Sequence, residues 1–348
     1  MKHSTTIKDI AKYLGISVAT VSRALSDQWD VSPQTRAKVL EVARLLNYQP
    51  NLSAQRLSQQ QSHLIGLVVP ELENSFFPRI IVGLQSILEE AGYLLLITNS
   101  NESSAIEEKN IRTLERNRVD GIILSVTQEG ANKQIYEDII AKGTPLVLFN
   151  RICDIDTPKV IIDDYKMSCL AVEHLIKQGC IRIAHIAGPE QLNITNSRKQ
   201  GYIDTLTKYQ IPIQNDYIIH AGIMQENGYE AMQQLLQAKP RPDAVFCVND
   251  PVAIGAMKAI KHLGLRIPQD IALVGYSESR SACLVEPNLT SVAQPLFEIG
   301  KNVAELMLKK IEGKMKDNPT ITLHAKLNIR ESSCKTDLCN IESLRIIT

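Results

Sequence analysis

From Leu64 onward, short apolar runs alternate with segments of helical periodicity. LIGLVV (64–69), YLLLIT (93–98), GIILSV (121–126) and PLVLFN (145–150) are nearly continuous apolar stretches bounded by polar residues. That is the signature of strands buried on both faces in a parallel sheet. Between them, residues 78–91, 104–117 and 132–142 have the spacing of amphipathic helices. A second set follows, with RIAHIA (182–187), DYIIHA (216–221), DAVFCV (243–248) and IALVGY (271–276) as strands. Helices are expected at about 165–178, 198–210, 226–237 and 250–263, and a last one near 295–312. Strand–helix alternation of this length predicts two doubly wound α/β units. Ligands of such sheets bind at the carboxyl ends of the strands and between units, so a small molecule is expected in the intervening cleft.

The first sixty residues follow another pattern, helical throughout. Ile7, Ile10, Ala11 and Leu14 form one apolar stripe, and Gly15 can end that helix in the left-handed conformation. Ser17 offers an N-cap to a second helix, in which Val21, Ala24 and Leu25 face inward. Two short helices joined by a glycine turn form a helix-turn-helix, whose second helix reads the major groove; the plain alternative is a helical hairpin. Ser32 and Pro33 open a third helix with Val39, Leu40, Val42, Ala43 and Leu46 on its apolar face, stopped by Asn47 to Pro50. Residues 51–58 would make a short helix with Ala54 and Leu57 on one side. The segment NLSAQRLSQQQS is polar and too short to be stable alone, so it is expected to fold on binding DNA; the alternative is a plain linker with Leu57 packed on the following lobe. Trp29 precedes the third helix and reads as a packing or backbone-contact residue.

Charge adds an asymmetry that the zero net charge hides. Residues 1–60 hold eight Lys/Arg against four Asp/Glu, and the rest has a matching acidic excess. A basic head on an acidic body suits a DNA-binding module joined to one that avoids DNA, although an excess this small is unremarkable by itself. The start, MKHSTTIKD, has no apolar run of the secretory type, and no stretch approaches the ~18 uninterrupted apolar residues of a membrane span. The seven cysteines are scattered and fit a reduced cytoplasmic protein; Cys334 and Cys339 read as unpaired thiols. There is no glycine-rich phosphate loop, zinc spacing, nucleophile elbow or defensible acid–base pair. No enzymatic activity, cofactor, metal or membrane partner is therefore expected.

The blocks TIKDIA, GISVATVSRAL, VSPQTRAKV, NYQPN and AQRL are similar to those of the lactose-repressor (LacI/GalR) family of bacterial regulators. IGLVVPELENSFF (65–77), RVDGIIL (118–124), EHLIKQGCIRIAHIAGP (173–189), FCVNDPVAIGAMKAI (246–260) and IPQDIALVGY (267–276) continue the resemblance in family order over about residues 5–332. It implies an N-terminal all-α helix-turn-helix domain (1–50), a hinge (51–62) and an α/β two-lobed domain of the periplasmic-binding-protein type (63–332). Lobe 1 would span about 63–162 and 292–320, and lobe 2 about 163–291 and 321–332. The tail, 333–348, is too short for the ~3–4 heptads of a coiled coil.

The implied function is that of a cytoplasmic, homodimeric transcription regulator, read as a repressor. It would bind a pseudo-palindromic double-stranded operator and answer allosterically to a sugar or related effector; the direction of that response stays open. The rivals are a sugar-binding protein with no DNA-dependent role and an enzyme acting in the cleft. For DNA the resemblance points to Thr6, Ser17, Val18, Ala19, Thr20, Ser22 and Arg23. Val18 and Ala19 would select the half-site, Thr20 and Ser22 would meet phosphates or merely cap and solvate the helix, and Arg23 would hold guanine or phosphate. Asn51, Ala54 and Leu57 would act in the hinge, with Leu57 as a minor-groove wedge. For the effector it points to Asn74, Phe76 and Phe77 after the first strand, with Ser75 in place of the usual proline. Asn150, Arg151, Arg198, Asn249, Asp250 and Ser277 complete the set; the alternative for Asn249 and Asp250 is capping of the following helix. Ser277 stands where the family often has an acid, and Ile223 where some relatives have a stacking aromatic ring. Arg280 with Arg198 suggests an acidic sugar or a larger oligosaccharide.

Overall fold

The computed structural model describes residues 5–26, 30–48 and 61–335. They form two units, divided at His63. Asn51, Ala54, Leu57 and Trp29 lie outside the described residues.

The first unit contains α1 (Ile7–Leu14), α2 (Val18–Leu25) and α3 (Pro33–Leu45). Each start has a local cause. The Asp9 carboxylate accepts from the backbone N–H and the hydroxyl of Thr6, both at 2.8 Å. Ser17 accepts from the Thr20 N–H at 3.0 Å, and Ser32 from Thr35 at 3.2 Å, with Pro33 at the first helical position. Gly15, at φ 66°, ends α1 in the conformation that favours glycine and lets the chain turn into α2. Ile10, Val21 and Val39, one from each helix, are fully buried together. That small core fixes the angle at which α2 is presented.

The second unit carries two six-stranded sheets. The first is built from β1 (Leu64–Val69), β2 (Leu94–Asn99), β3 (Gly121–Leu124), β4 (Leu146–Phe149), β5 (Lys159–Ile162) and β11 (Thr320–Leu323), in the order β11-β5-β4-β3-β1-β2. The second is built from β6 (Ile183–Ala187), β7 (Ile218–His220), β8 (Ala244–Cys247), β9 (Ala272–Tyr276), β10 (Thr290–Ala293) and β12 (Lys326–Asn328), in the order β12-β10-β9-β8-β6-β7. All pairings are parallel except β10 with β12. The connecting helices are α4 (Phe76–Leu88), α5 (Ser104–Arg116), α6 (Lys133–Ala141), α7 (Asp164–Lys177), α8 (Asn193–Lys208), α9 (Gln225–Leu235), α10 (Asp250–His262) and α11 (Leu296–Ile311). The central strands β1, β3, β4, β6, β8 and β9 are buried along their whole length, as their unbroken apolar runs require.

The chain passes between sheets three times: from β5 to α7, from β10 to α11, and from β11 to β12. Strands β5, β10, β11 and β12 were not among the predicted apolar runs. They are short or only half-buried: Lys159–Ile162 alternates and Thr320–Leu323 is exposed at every second residue. They exist because a neighbouring strand supplies their hydrogen bonds. As a result the second crossing falls after Ala293 and the third after Leu323, each a few residues beyond the expected boundary. Helix α8 begins at Asn193 rather than near 198, which moves Arg198 into its second turn.

Helix α11 returns from the second sheet to pack on α4. The contact depends on Gly83 and Gly300: a Cβ on Gly83 would stand 2.2 Å from the Phe297 carbonyl oxygen, and one on Gly300 2.2 Å from that of Ile80. Neither oxygen can yield without moving a helix. Gly300→Ala is expected to lower the stability of the second unit by about 1–3 kcal/mol, the usual cost of overpacking a fitted contact. Urea unfolding followed by circular dichroism checks this, and an unchanged midpoint would refute the close approach.

Candidate functional site

In the first unit, α2 turns Val21 and Ala24 inward and leaves Ser17, Val18, Ala19, Ser22 and Arg23 exposed. Thr20 is half-buried, and its hydroxyl shares a hydrogen bond with Ser17 at 2.8 Å. The structure therefore gathers the expected contact residues on one helix face, with Thr6 exposed at the start of α1. Arg23 donates to Asp30 at 2.6 Å and to the Ala19 carbonyl at 3.3 Å. On DNA the guanidinium would have to exchange Asp30 for a base edge or a phosphate, a swap of one charged acceptor for another.

In the second unit, the carboxyl ends of both sheets open on a single cleft of about 450 Å³. Eight of the nine residues assigned to the effector line it: Asn74, Phe76, Phe77, Asn150, Arg151, Arg198, Asn249 and Ser277. Phe76 and Phe77 stand edge to face with centroids 5.0 Å apart, and Phe77 is braced in turn by Phe149 at 6.1 Å. Phe77 is buried and Phe76 only half-buried, so Phe76 is the ring open to a ligand and Phe77 its support. Across the cleft the Asn74 amide donates to Met224 Sδ at 3.5 Å.

Both buried arginines of the cleft are held rigidly. Arg151 grips Glu102 with two parallel hydrogen bonds of 2.8 and 2.9 Å. Arg198 donates from Nε and Nη2 to Asp164 Oδ1 at 2.8 and 2.7 Å, and from Nη1 to the Val248 carbonyl at 2.5 Å. Its guanidinium lies 3.6 Å from the centroid of the Tyr276 ring. It is thus a fixed planar donor rather than a swinging cation. Asn150 occupies a left-handed turn at φ 58° after β4, which aims Arg151 back toward the cleft.

Asp250 departs from expectation. It is fully buried and absent from the cleft wall. Nor does it cap α10, since Asn249 does that by accepting from the Val252 N–H at 2.9 Å while its own amide donates to the Ile223 carbonyl at 2.9 Å. The Asp250 carboxylate instead accepts from the Ser279 N–H and from Ser291 Oγ, the latter at 2.6 Å. Room for it exists because residue 275 is glycine: a Cβ there would stand 2.4 Å from Oδ1. Asp250 therefore ties the loop after β9, where Ser277 (φ 110°) and Glu278 (φ 54°) hold left-handed conformations, to β10. Burial pushes its carboxyl up to about 6, against the opposing effect of those two hydrogen bonds.

The pattern reading missed Glu71, Thr195, Met224, Ser279 and Gln294, all of which line the cleft. Thr195 lies one helical turn before Arg198, a relation visible only once the early start of α8 is known. Gln294 follows β10, a strand that carries no apolar run of its own.

An α/β cleft between two crossed-over lobes, carried in one chain with a helix-turn-helix, defines a ligand-responsive DNA-binding regulator. Residues 6–51 match the bacterial regulatory proteins of the lacI family, and residues 62–331 match the periplasmic binding proteins and sugar binding domain of the LacI family. The chain belongs to the LacI family of transcription regulators. It is 33% identical over 329 residues to the ribose operon repressor of Halalkalibacterium halodurans, covering 94% of this chain and 97% of that protein. The lac repressor dimer bound to operator and the anti-inducer ONPF superposes with a TM-score of 0.85 at 27% identity, covering 95% of this chain and 99% of the other. The transcriptional regulator CelR in complex with cellobiose gives a TM-score of 0.73 at 28% identity, covering 94% and 99%.

Proposed function

We propose that this protein represses transcription in the cytoplasm, as a homodimer on a pseudo-palindromic operator, and that a carbohydrate taken into the cleft sets its affinity for DNA. The observation that carries this reading is the cleft itself. Its walls come from both sheets, so a ligand that bridges them favours one relation of the lobes over another. Linkage then requires DNA and effector to change each other's affinity by the same factor.

In this reading Thr6, Ser17, Val18, Ala19, Thr20, Ser22 and Arg23 contact the operator, with Asn51, Ala54 and Leu57 contributing from the hinge. One helix-turn-helix reads too few bases alone, and a two-fold dimer reads two half-sites. Val82, Leu94 and Ile97, exposed on the first lobe, offer apolar surface for a second copy. The protein has no catalytic part in this reading; the relatives compared above are named as regulators.

Selection of genomic fragments by the purified full chain tests the reading. The parent chain should recover a palindromic motif. Arg23→Ala should lose about tenfold or more in affinity for it, the worth of one good base or phosphate contact. Recovery of no motif, with or without candidate sugars, would sink the proposal.

A further inference from the structure

One side-chain contact between the lobes is made through an atom that can be oxidised. The Asn74 amide, in the loop after β1, donates across the cleft to Sδ of Met224, which precedes α9, over 3.5 Å. Both ends are anchored. The Asn74 backbone N–H donates to Glu71 Oε2 at 2.9 Å, and the Met224 backbone N–H donates to Asn227 Oδ1 at 3.1 Å. Glycine at 222 leaves room for that amide: a Cβ there would stand 2.2 Å from Asn227 Oδ1. The sulfur is thus held facing Asn74 by two fixed turns.

A thioether is a weak acceptor, so this bridge is weak as it stands. Other hydrogen bonds joining the lobes run between amide groups, which peroxides leave untouched. Glu129 N–H donates to the Gln191 carbonyl at 3.1 Å and Ile152 N–H to Asn193 Oδ1 at 3.4 Å. Met224 is also accessible to a small oxidant. It is half-buried on the cleft wall, whereas Met167, Met232, Met257 and Met307 are buried in the cores. Met315, half-buried after α11 and away from the cleft wall, provides an internal reference.

Hydrogen peroxide converts such a sulfur to the sulfoxide in a single two-electron step. A sulfur lone pair forms the new S–O bond and the O–O bond breaks. The proton on the transferred oxygen passes to the departing oxygen, which leaves as water. Sulfur is oxidised and peroxide reduced. The product sets a polar oxygen where a weak acceptor stood, opposite an amide already aimed at it.

We propose that Met224 is a site of reversible oxidation by hydroperoxides, and that its sulfoxide tightens the bridge to Asn74 and so biases the protein toward the relation of the lobes in this structure. Oxidant would then act on DNA affinity through the lobes, independently of any effector.

The test starts from the purified full chain, treated with limiting hydrogen peroxide and then with dithiothreitol, which returns disulfides and sulfenic acids to thiols. Peptide mass spectrometry should find an added oxygen on Met224 and Met315 before the four buried methionines. Amide hydrogen exchange over residues 72–76 and 222–228 should slow about fivefold, the gain of one ordinary hydrogen bond. Affinity for the selected operator should shift by about the same factor. Methionine sulfoxide reductases should reverse both changes. Met224→Leu, without the sulfur, should show neither. Asn74→Leu keeps a similar shape but cannot donate, so its Met224 should still oxidise while exchange and affinity stay unmoved. A methionine that is merely exposed would give the same response in the parent and in Asn74→Leu. The proposal is overturned by that result, by Met224 oxidising no faster than the buried methionines, or by exchange or operator affinity that oxidation does not move. The mass and exchange measurements need neither operator nor sugar, so their outcome is separate from that of the regulatory reading.

Discussion

Arg198→Ala should abolish the response to effector and also weaken the fold. The side chain is 4% exposed and Asp164 11%, so the pair sits out of bulk water. Removing the guanidinium strands a buried carboxylate, leaves the Val248 carbonyl without that donor and strips the Tyr276 ring of its stacked cation. Breaking a buried pair from one side typically costs about 3–5 kcal/mol. Effector affinity should fall by about a hundredfold or more, since the lost group is a preoriented planar donor. Arg198→Lys should not restore it, because an ammonium cannot make the two-atom grip on Asp164 and lie flat on the ring. Unfolding by urea and titration calorimetry read the two effects separately. A stable Arg198→Ala protein with unchanged effector affinity would refute the role assigned to this residue.

Substitution of Asp250 should change how stability depends on pH. Burial raises its carboxyl from an ordinary value of 3.8 to about 6 in the folded chain. A raised carboxyl means that the folded state holds its proton more tightly than the unfolded state does. Its contribution is therefore most favourable below pH 3.8, declines as pH rises to about 6, and is level above that. The size of the decline is about 3 kcal/mol by linkage. Asp250→Asn can still accept from the Ser279 N–H and can donate to Ser291 Oγ. It should fold and lack this decline, so the variant gains stability relative to the parent as pH rises through that window. Asp250→Ala releases the loop that carries Ser277 and should weaken effector binding at neutral pH without touching the ligand itself. Parallel pH profiles for parent and Asp250→Asn would count against a titrating, buried carboxylate at this position.

The position of Asp250 also marks where pattern reading stops. Its neighbour Asn249 was legible as a polar residue at a strand's carboxyl end, and it does line the cleft. Asp250 satisfies the same pattern, but the glycine at 275 opens a space beneath the loop and the carboxylate fills it. Nothing in the spacing of residues 249 and 250 distinguishes the two directions. Arg198 was named from the resemblance and lines the cleft, but its helix was expected to start five residues late, so Thr195, one turn before it, went unnoticed. Gln294 was hidden because the strand before it owes its existence to β9 and β12 rather than to an apolar run.

The sequence by itself determined the parts. Helix caps at Thr6, Ser17 and Ser32, the glycine turn at 15, and the unbroken apolar strands of both sheets are local properties, set by backbone hydrogen bonding and by which side chains leave water. The N-terminal helical unit and the α/β alternation follow from them, whereas the residues expected in the cleft came from the resemblance to a known family. Only the tertiary structure decided how the charges pair, which polar atoms are left without partners, and where the chain crosses between sheets. Those depend on contacts between residues such as Arg151 and Glu102, 49 positions apart, or Arg198 and Val248, 50 apart. Pairing of that kind is a property of distance in space, which spacing along the chain does not encode.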